Sequence, residues 1–84
     1  IYALGVVLYE LLTGRLPFQA RTPTALREQF LFRLPRPPRA INASISNELE
    51  VVCLRCLAKH PADRYSSARD LADPLRASIA RRRR

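Results

Sequence analysis

The sequence predicts an all-α fold of about four helices with no sheet. Two observations lead to this prediction: polar capping residues stand before apolar segments, and apolar residues within those segments recur at helical spacing. The chain has 84 residues, of which 48% are hydrophobic. It therefore has the composition of a globular protein and the size of one small domain or a piece of a larger one.

The first predicted helix, Ile1–Thr13, carries its only charge at Glu10 and is apolar on every side. Such a helix belongs in the middle of a large protein, and the rest of this chain can cover only part of it. It also begins without a capping residue, and the chain contains no Met. We therefore expect further sequence of a parent protein before Ile1. Gly14 is predicted to end the helix in a left-handed conformation, and Pro17 prevents its continuation.

Thr22 and Pro23 form the start signal of a second helix over Ala25–Phe32. Its inward-facing side chains are expected to be Leu26, Phe30 and Leu31. The next segment, Leu34–Ala40, is rich in proline and is predicted to be extended rather than helical. The residues from Ile41 to Ile45 are predicted to be a loop.

The third helix is predicted to begin at Ser46 and to include Lys59 and His60 in its last turn, before Pro61. Its apolar stripe consists of Leu49, Val52, Cys53, Cys56 and Leu57. A fourth helix is predicted to begin near Ser67, which with Asp70 resembles a capping box, and to run towards Ala80. Its inward-facing residues are expected to be Leu71, Leu75 and Ile79. Pro74 predicts a kink or an early end.

Cys53 and Cys56 form a CxxC arrangement, with His60 one turn further along the same predicted helix. A structural zinc site takes four ligands, and only three candidates are present, so we expect no metal site. Because both cysteines lie on the apolar stripe, we interpret them as core residues. A redox dithiol is the weaker alternative, since the sequence around it is not thioredoxin-like.

The formal net charge is +8, and about half of this excess comes from the terminal run Arg81–Arg84. A basic balance is typical of nucleic-acid or membrane-surface binding, but the remaining excess is ordinary for a soluble fragment. We therefore expect no nucleic-acid partner. The longest apolar stretch is shorter than the roughly 20 residues that span a bilayer. Neither a membrane segment nor a signal peptide is expected, and the expected location is cytoplasmic.

Two blocks of the sequence together resemble the C-terminal lobe of bacterial, eukaryotic-like serine/threonine protein kinases. The first block, IYALGVVLYELLTGRLPF, is similar to the central helix of that lobe, where the family has D-x-Y-x-L-G, an apolar stretch and T-G-x-x-P-F. The matching residues are Tyr2, Leu4, Gly5, Leu11, Leu12, Thr13, Gly14, Pro17 and Phe18. The second block, LEVVCLRCLAKHPADRYSSARDLADPL, is similar to the family's last two helices. Its matching residues are Cys56, Leu57, Pro61, Arg64, Tyr65, Ser67, Ala68, Asp70, Leu71 and Ala72.

The resemblance covers about residues 1–77 and implies that residues 1–80 are the last third of a protein kinase domain, within its C-lobe, with 81–84 as a basic tail. The family's Asp would stand immediately before Ile1. The intact parent would use ATP and Mg²⁺ to phosphorylate protein Ser or Thr. His60 and Pro74 depart from the family pattern, which has an acidic residue at the first position and a helix former at the second.

The chain contains none of the residues that phosphoryl transfer requires: it has no Gly-rich loop, no strand lysine, no HRD and no DFG. We therefore expect no catalytic residue and no cofactor-binding residue here, and we predict that the isolated chain is inactive. The resemblance implies a structural role for Arg64. In the family the matching Arg forms a buried ion pair with the Glu that closes the activation segment, and breaking such a pair costs about 3–5 kcal/mol. The alternative is an ordinary solvated arginine.

Two interpretations of the role of this chain stay open. The chain is either part of an active kinase, with the missing N-terminal part of the domain as its partner, or a non-catalytic helical remnant. The remnant would act as a binding module whose basic tail contacts nucleic acid or acidic lipid. The proline-rich segment Leu34–Arg39 could similarly serve as a PxxP ligand, although the family has a packed loop there.

Overall fold

The computed structural model describes the backbone of residues 1–82 and their side chains except those of Ile79, Arg81 and Arg82. Within that range the chain forms five α-helices, a 3-10 turn at Pro61–Asp63, and no strand. The helices are α1 (Tyr2–Thr13), α2 (Pro23–Phe32), α3 (Pro38–Ile41), α4 (Asn47–Cys56) and α5 (Ala68–Arg82). The all-α prediction is confirmed, with one short helix more than expected. None of the helices in the described residues is long and apolar enough to cross a membrane.

Helix α1 lies at the centre of the fold and packs against both α3 and α4. Its N-cap residue, Ile1, provides no side-chain hydrogen bond, as the sequence indicated. Gly14 ends the helix with φ 73°, and its N–H donates to the carbonyl of Glu10, so the predicted left-handed cap is confirmed. Tyr9 faces the core and is fully buried.

Helix α4 contributes most of the core. The five residues of the predicted stripe are all buried, and Ser46 caps the helix by accepting from the N–H of Leu49 at 3.2 Å. Two buried clusters result from this packing. One contains Val52, Cys56, Tyr65 and Leu71, and the other contains Tyr9, Cys53 and Leu57.

The sequence predicted that α4 extends further along the chain than it does. The helix ends at Cys56, so Lys59 and His60 lie beyond it rather than in its last turn. The N–H of Leu57 is shared between the carbonyls of Cys53 and Leu54, which tightens the final turn. The carbonyls that follow are satisfied from elsewhere in the chain, by the side chain of Arg64. This contact from a residue five to six positions further along the chain gives the segment an alternative to continued helix.

The proline-rich segment was only partly predicted. Its first residues are extended, but Pro38–Ile41 forms one helical turn with Pro38 at its first position. Proline is tolerated there because the first N–H groups of a helix have no partner within the helix. Pro35 and Pro38 are buried, so the two prolines of a PxxP ligand face this chain's own core. The carbonyl of Arg36 accepts from the hydroxyl of Tyr9 at 2.7 Å, which ties the segment to α1.

Helix α2 is capped as predicted, because the hydroxyl of Thr22 accepts from the N–H of Ala25 at 3.1 Å. The helix begins at Pro23, two residues before the expected start. None of its residues is buried, and the expectation that Leu26 and Leu31 face inward is wrong, since both are exposed. Helix α2 is therefore the least enclosed of the longer helices.

Helix α5 runs through Pro74 to Arg82, so the expected early end is wrong. Its packing against α4, with Leu71 buried and Leu75 against the same cluster, stabilises the helix on both sides of the proline. Ser67 accepts from the N–H of Asp70 at 3.2 Å, as the capping prediction required, while the Asp70 carboxylate accepts from Ser66. The side chains of Ile79 and of the terminal run Arg81–Arg84 lie outside the described part of the chain.

Candidate functional site

Arg64 directs its guanidinium back towards the end of α4. Its Nε donates to the carbonyl of Ala58 at 2.7 Å, and its Nη2 donates to the carbonyl of Lys59 at 3.3 Å. The side chain is half-buried. Its Cζ lies 4.8 Å from the ring centroid of Tyr2, at the start of α1. Arg64 is thus held by two carbonyls and one aromatic face, unlike an ordinary solvated arginine.

Lys59 reaches in the other direction, to the end of α2. Its ammonium donates to the carbonyl of Phe30 and, at 3.5 Å, to the carbonyl of Gln29. These carbonyls belong to the last turn of the helix, where a positive charge is favourable. The same ammonium lies 4.5 Å from the ring centroid of Phe18 and 5.6 Å from that of Phe30. Burial lowers the pKa of Lys59 from its ordinary value of 10.5.

These contacts join four residues in a closed arrangement. Tyr2 meets Phe30 edge-on, with centroids 4.8 Å apart, and Phe30 accepts from Lys59. Lys59 in turn accepts from Arg64, which lies over Tyr2. Together with Phe18, these residues form what we call the cation–aromatic cluster. The cluster joins α1, α2 and the segment after α4, which are far apart in sequence.

A cavity of about 220 Å³ opens beside the cation–aromatic cluster, between α1 and α2. Its lining is apolar and consists of Tyr2, Val6, Leu16, Pro17, Phe18, Leu26 and Phe30. Three of these side chains are the rings on which the two cations lie. The site therefore combines an apolar recess with positive charge at its edge.

The cations of the cluster bind only neutral acceptors within the described residues. The hydrogen-bond partners of Lys59 and Arg64 are all backbone carbonyls, and none is a carboxylate. Burial raises the pKa of Tyr2, although the positive charge of Arg64 acts in the opposite direction. The arrangement is suited to a carboxylate, because charge-assisted hydrogen bonds are stronger than bonds to neutral groups.

The two cysteines lie away from this cluster, in the core between α1 and α4. Both are fully buried free thiols. Burial raises the pKa of Cys53 to about 12 and also raises that of Cys56, so neither is a thiolate near neutral pH. His60 is exposed and lies beyond the end of α4. Among residues 1–82, no three His, Cys, Asp or Glu side chains are grouped as metal ligands would be.

The residues present do not fit an ATP–Mg²⁺ site. Gly5 packs within α1 against α4, and Gly14 is a helix cap, so neither belongs to a loop that could surround phosphates. Lys59 lies after a helix and is bonded to carbonyls of α2. In the described part of the chain, the two glycines and Lys59 are therefore engaged in helix packing, capping and carbonyl contacts.

Sequence reasoning identified Arg64 but missed its neighbour Lys59 and the Phe18 ring beside Lys59. The helix was expected to include Lys59, which would have directed its side chain along α4. One feature of the sequence distinguishes Lys59: it is the only lysine of the chain, and every other basic residue apart from His60 is an arginine. Tyr2 packs against the Tyr9, Cys53 and Leu57 cluster, and it also lines the cavity and supports Arg64.

Comparison with known proteins identifies relatives of this chain. The chain is 44% identical over 80 residues to the serine/threonine-protein kinase Pkn1 of Myxococcus xanthus. That alignment covers 95% of this chain and 12% of Pkn1. It is 43% identical over 77 residues to the serine/threonine-protein kinase PknB of Mycolicibacterium smegmatis, covering 90% of this chain and 12% of PknB. A probable serine/threonine-protein kinase of Corynebacterium efficiens, CE0033, is 42% identical over 79 residues, with 89% of this chain and 12% of that protein covered.

No protein-family model matches the chain. The chain nevertheless aligns with these kinases over most of its own length, while it spans only 12% of theirs. The alignments and the all-helical structure agree with the two motif blocks found in the sequence. The chain therefore belongs to the bacterial serine/threonine protein kinases and is a part of a kinase domain.

Proposed function

We propose that this chain is the C-lobe scaffold of an ATP-dependent protein serine/threonine kinase and anchors the activation segment through Arg64. The observation that carries the proposal is the geometry of Arg64. Its guanidinium is fixed by Ala58, Lys59 and Tyr2, yet no described residue supplies it with a carboxylate. A half-buried cation of this kind gains most from an acidic partner in the rest of the domain.

The chain's own residues would contribute positioning and no chemistry. Tyr2 and the two carbonyls hold the guanidinium in one orientation, so an incoming carboxylate meets a preorganised donor. ATP, Mg²⁺ and the catalytic groups would be held by the remainder of the domain, which would also bind the protein substrate. We place the domain in the cytoplasm, a location supported by its two unpaired cysteines.

A direct assay tests the first half of the proposal. The purified 84-residue chain is incubated with radiolabelled ATP, Mg²⁺ and a general protein substrate, beside an intact bacterial kinase as positive control. We expect no transfer above the level without protein. Transfer that scales with chain concentration would contradict the assignment of catalysis to the rest of the domain.

A second assay tests the anchor. In the intact kinase domain, Arg64→Ala removes the guanidinium, and Arg69→Ala removes an exposed arginine of α5 as a matched control. We expect Arg64→Ala to reduce autophosphorylation by about tenfold or more, because the activation segment loses its fixed partner. Arg69→Ala should leave the rate within about twofold. Equal rates for the two variants would refute the anchoring role.

A further inference from the structure

We propose that a cavity between α4 and α5 binds a small neutral molecule that carries one hydroxyl group on an apolar ring or short chain. We call this site the Ser78 cavity, and its lining residues are Asn47, Glu48, Val51, Val52, Tyr65, Pro74 and Ser78. It shares no lining residue with the cavity beside the cation–aromatic cluster. The inference therefore goes beyond the proposed kinase role and does not depend on Arg64.

The hydroxyl of Ser78 is buried and lacks a partner. The side chain is 2% exposed, and its Oγ forms no hydrogen bond with any described residue. A serine within a helix often donates to the carbonyl one turn before it, but here the Oγ does not bond to Pro74, four residues earlier. Buried polar groups are paired in most folds, because a buried donor without an acceptor is destabilising. An acceptor from outside the described chain would therefore bind favourably here.

The cavity that Ser78 lines has the size and the lining of a site for a small molecule. Its volume is about 340 Å³, at the lower end of the range for ligand sites. Val52 and Tyr65 are buried, Pro74 is half-buried, and Val51 is exposed. These four side chains offer mainly apolar surface, whereas Ser78 adds one hydroxyl. The lining therefore matches a ligand with an apolar body and a single polar group.

The chemistry of the lining favours a neutral hydroxyl as the polar group of the ligand. The Oγ of Ser78 can both donate and accept a hydrogen bond, and a ligand hydroxyl can do the same. A carboxylate would be repelled by Glu48, which also lines the cavity. An ammonium bonded to the buried Oγ would lose its hydration and could only donate. A hydroxyl satisfies Ser78 without either cost.

The alternatives to a small ligand fit the cavity less well. A water molecule inside a protein takes about three polar partners, whereas Val52 and Pro74 offer none in the lining that they share with Ser78. Such a water would be weakly held, and an apolar group that displaces it gains affinity. A protein partner would need a broad exposed face, but Val51, at 63% exposure, is the one apolar side chain of the lining that is exposed.

The test is a binding measurement on the full 84-residue chain. The probe is benzyl alcohol, and toluene is its analogue without the hydroxyl. Amide shifts of the isotope-labelled chain are followed by NMR, so binding here is distinguished residue by residue from binding in the cavity between α1 and α2. We expect saturable shifts at Val51, Val52, Tyr65 and Ser78, with a Kd for benzyl alcohol of about 1 mM.

A pair of variants tests the hydroxyl contact. Ser78→Ala should weaken the binding of benzyl alcohol about fivefold or more, because the hydrogen bond is lost. The binding of toluene should stay within about twofold or become tighter, since toluene makes no such bond. Ser44→Ala removes an exposed hydroxyl in the turn before α4, and it should change the binding of neither compound.

A stability measurement separates this result from loss of folding. Ser78→Ala should leave the urea midpoint unchanged or raise it, because a buried hydroxyl without a partner is replaced by a methyl group. A lower midpoint would overturn the proposal, since the hydroxyl would then have a partner within the fold.

Two further comparisons locate the site and test its charge preference. Val51→Trp places a larger side chain at the cavity and should weaken the binding of both compounds at least about fivefold, whereas Val7→Trp, at a 54% exposed position of α1, should not. The proposal is overturned if Ser78→Ala weakens both compounds equally, if Val51→Trp binds as the parent chain does, or if the expected amides do not shift at about 10 mM benzyl alcohol. Tighter binding of benzylamine than of benzyl alcohol would also overturn it, in favour of a cationic ligand.

Discussion

Gly5 of α1 lies so close to Cys56 of α4 that a Cβ atom on residue 5 would stand 2.6 Å from the Cβ of Cys56. The same added atom would lie 3.1 Å from Cδ2 of Leu57. The thiol of Cys53 also donates to the carbonyl of Gly5 at 3.8 Å. The backbone of α1 therefore rests directly on α4. This spacing matters for the site, because α1 provides Tyr2 and α4 leads into Lys59.

We predict that Gly5→Ala destabilises the chain by about 1–3 kcal/mol, because the new methyl group forces α1 and α4 apart. The free energy of unfolding is measured by urea titration with circular dichroism. Gly14→Ala is the matched control: nothing lies within 4 Å of an added Cβ there, and only the left-handed backbone is strained, at about 1 kcal/mol. A neutral Gly5→Ala would show that the two helices are not in close contact.

The guanidinium of Arg64 should not be replaceable by an amine. Arg64→Lys keeps the positive charge but loses the fork that reaches the carbonyls of both Ala58 and Lys59. We expect a loss of about 1 kcal/mol in stability, from the same urea titration. Arg69→Lys, on the exposed face of α5, should change stability by less than about 0.5 kcal/mol. Equal stability of Arg64→Lys and the parent chain would mean that charge alone holds this segment.

Removal of the Lys59 ammonium should loosen α2 selectively. In Lys59→Met, the carbonyls of Gln29 and Phe30 lose the ammonium as a donor, while the apolar stem of the side chain is kept. We expect faster amide hydrogen exchange along α2, and unchanged exchange in α4, whose contacts are with α1, α3 and α5. Lys59→Arg serves as the control that keeps the charge. An equal rise in exchange across both helices would point to general loss of structure instead.

The buried thiols should make stability depend on pH in the alkaline range. Burial raises the pKa of Cys53 from its ordinary value of 9.0 to about 12, so the folded chain holds its proton more tightly than the unfolded chain. This contribution to stability is fully present below pH 9 and is lost as pH rises from 9 towards 12. The urea midpoint is measured in steps across that range.

The control for the alkaline titration is Cys53→Ala, which should show a shallower fall in the urea midpoint across the same pH range. The native thiols should also react slowly with a thiol reagent at neutral pH, and quickly once the chain is unfolded in urea. Rapid reaction of both thiols in the native chain would contradict their placement in the core.

Local signals predicted most of the fold. The caps at Thr22, Ser46 and Ser67 and the stripe on α4 all depend on nearby residues, and the structure confirms them. The short helix at Pro38–Ile41 and the passage of α5 through Pro74 were missed, because tertiary packing outweighs the local effect of proline at these positions.

The candidate site was less predictable than the fold. Arg64 was identified from its family motif, but the ring of Tyr2 on which it lies belongs to the start of the chain, and the contact between Lys59 and Phe30 spans 29 residues. Spacing along the chain contains no information on such a contact. The early end of α4 was missed for a different reason: the side chain of Arg64 bonds the carbonyls of Ala58 and Lys59 just beyond the helix, and the helical pattern of the sequence does not show this contact.

The most direct test of the account is a charge swap in the intact kinase domain. Arg64→Glu is combined with replacement of the acidic residue that closes the activation segment by Arg, and autophosphorylation is measured for both single variants and the double variant. We predict that each single variant loses most activity and that the double variant regains a substantial part of it. Full activity of Arg64→Glu alone would contradict the claim that Arg64 anchors the activation segment.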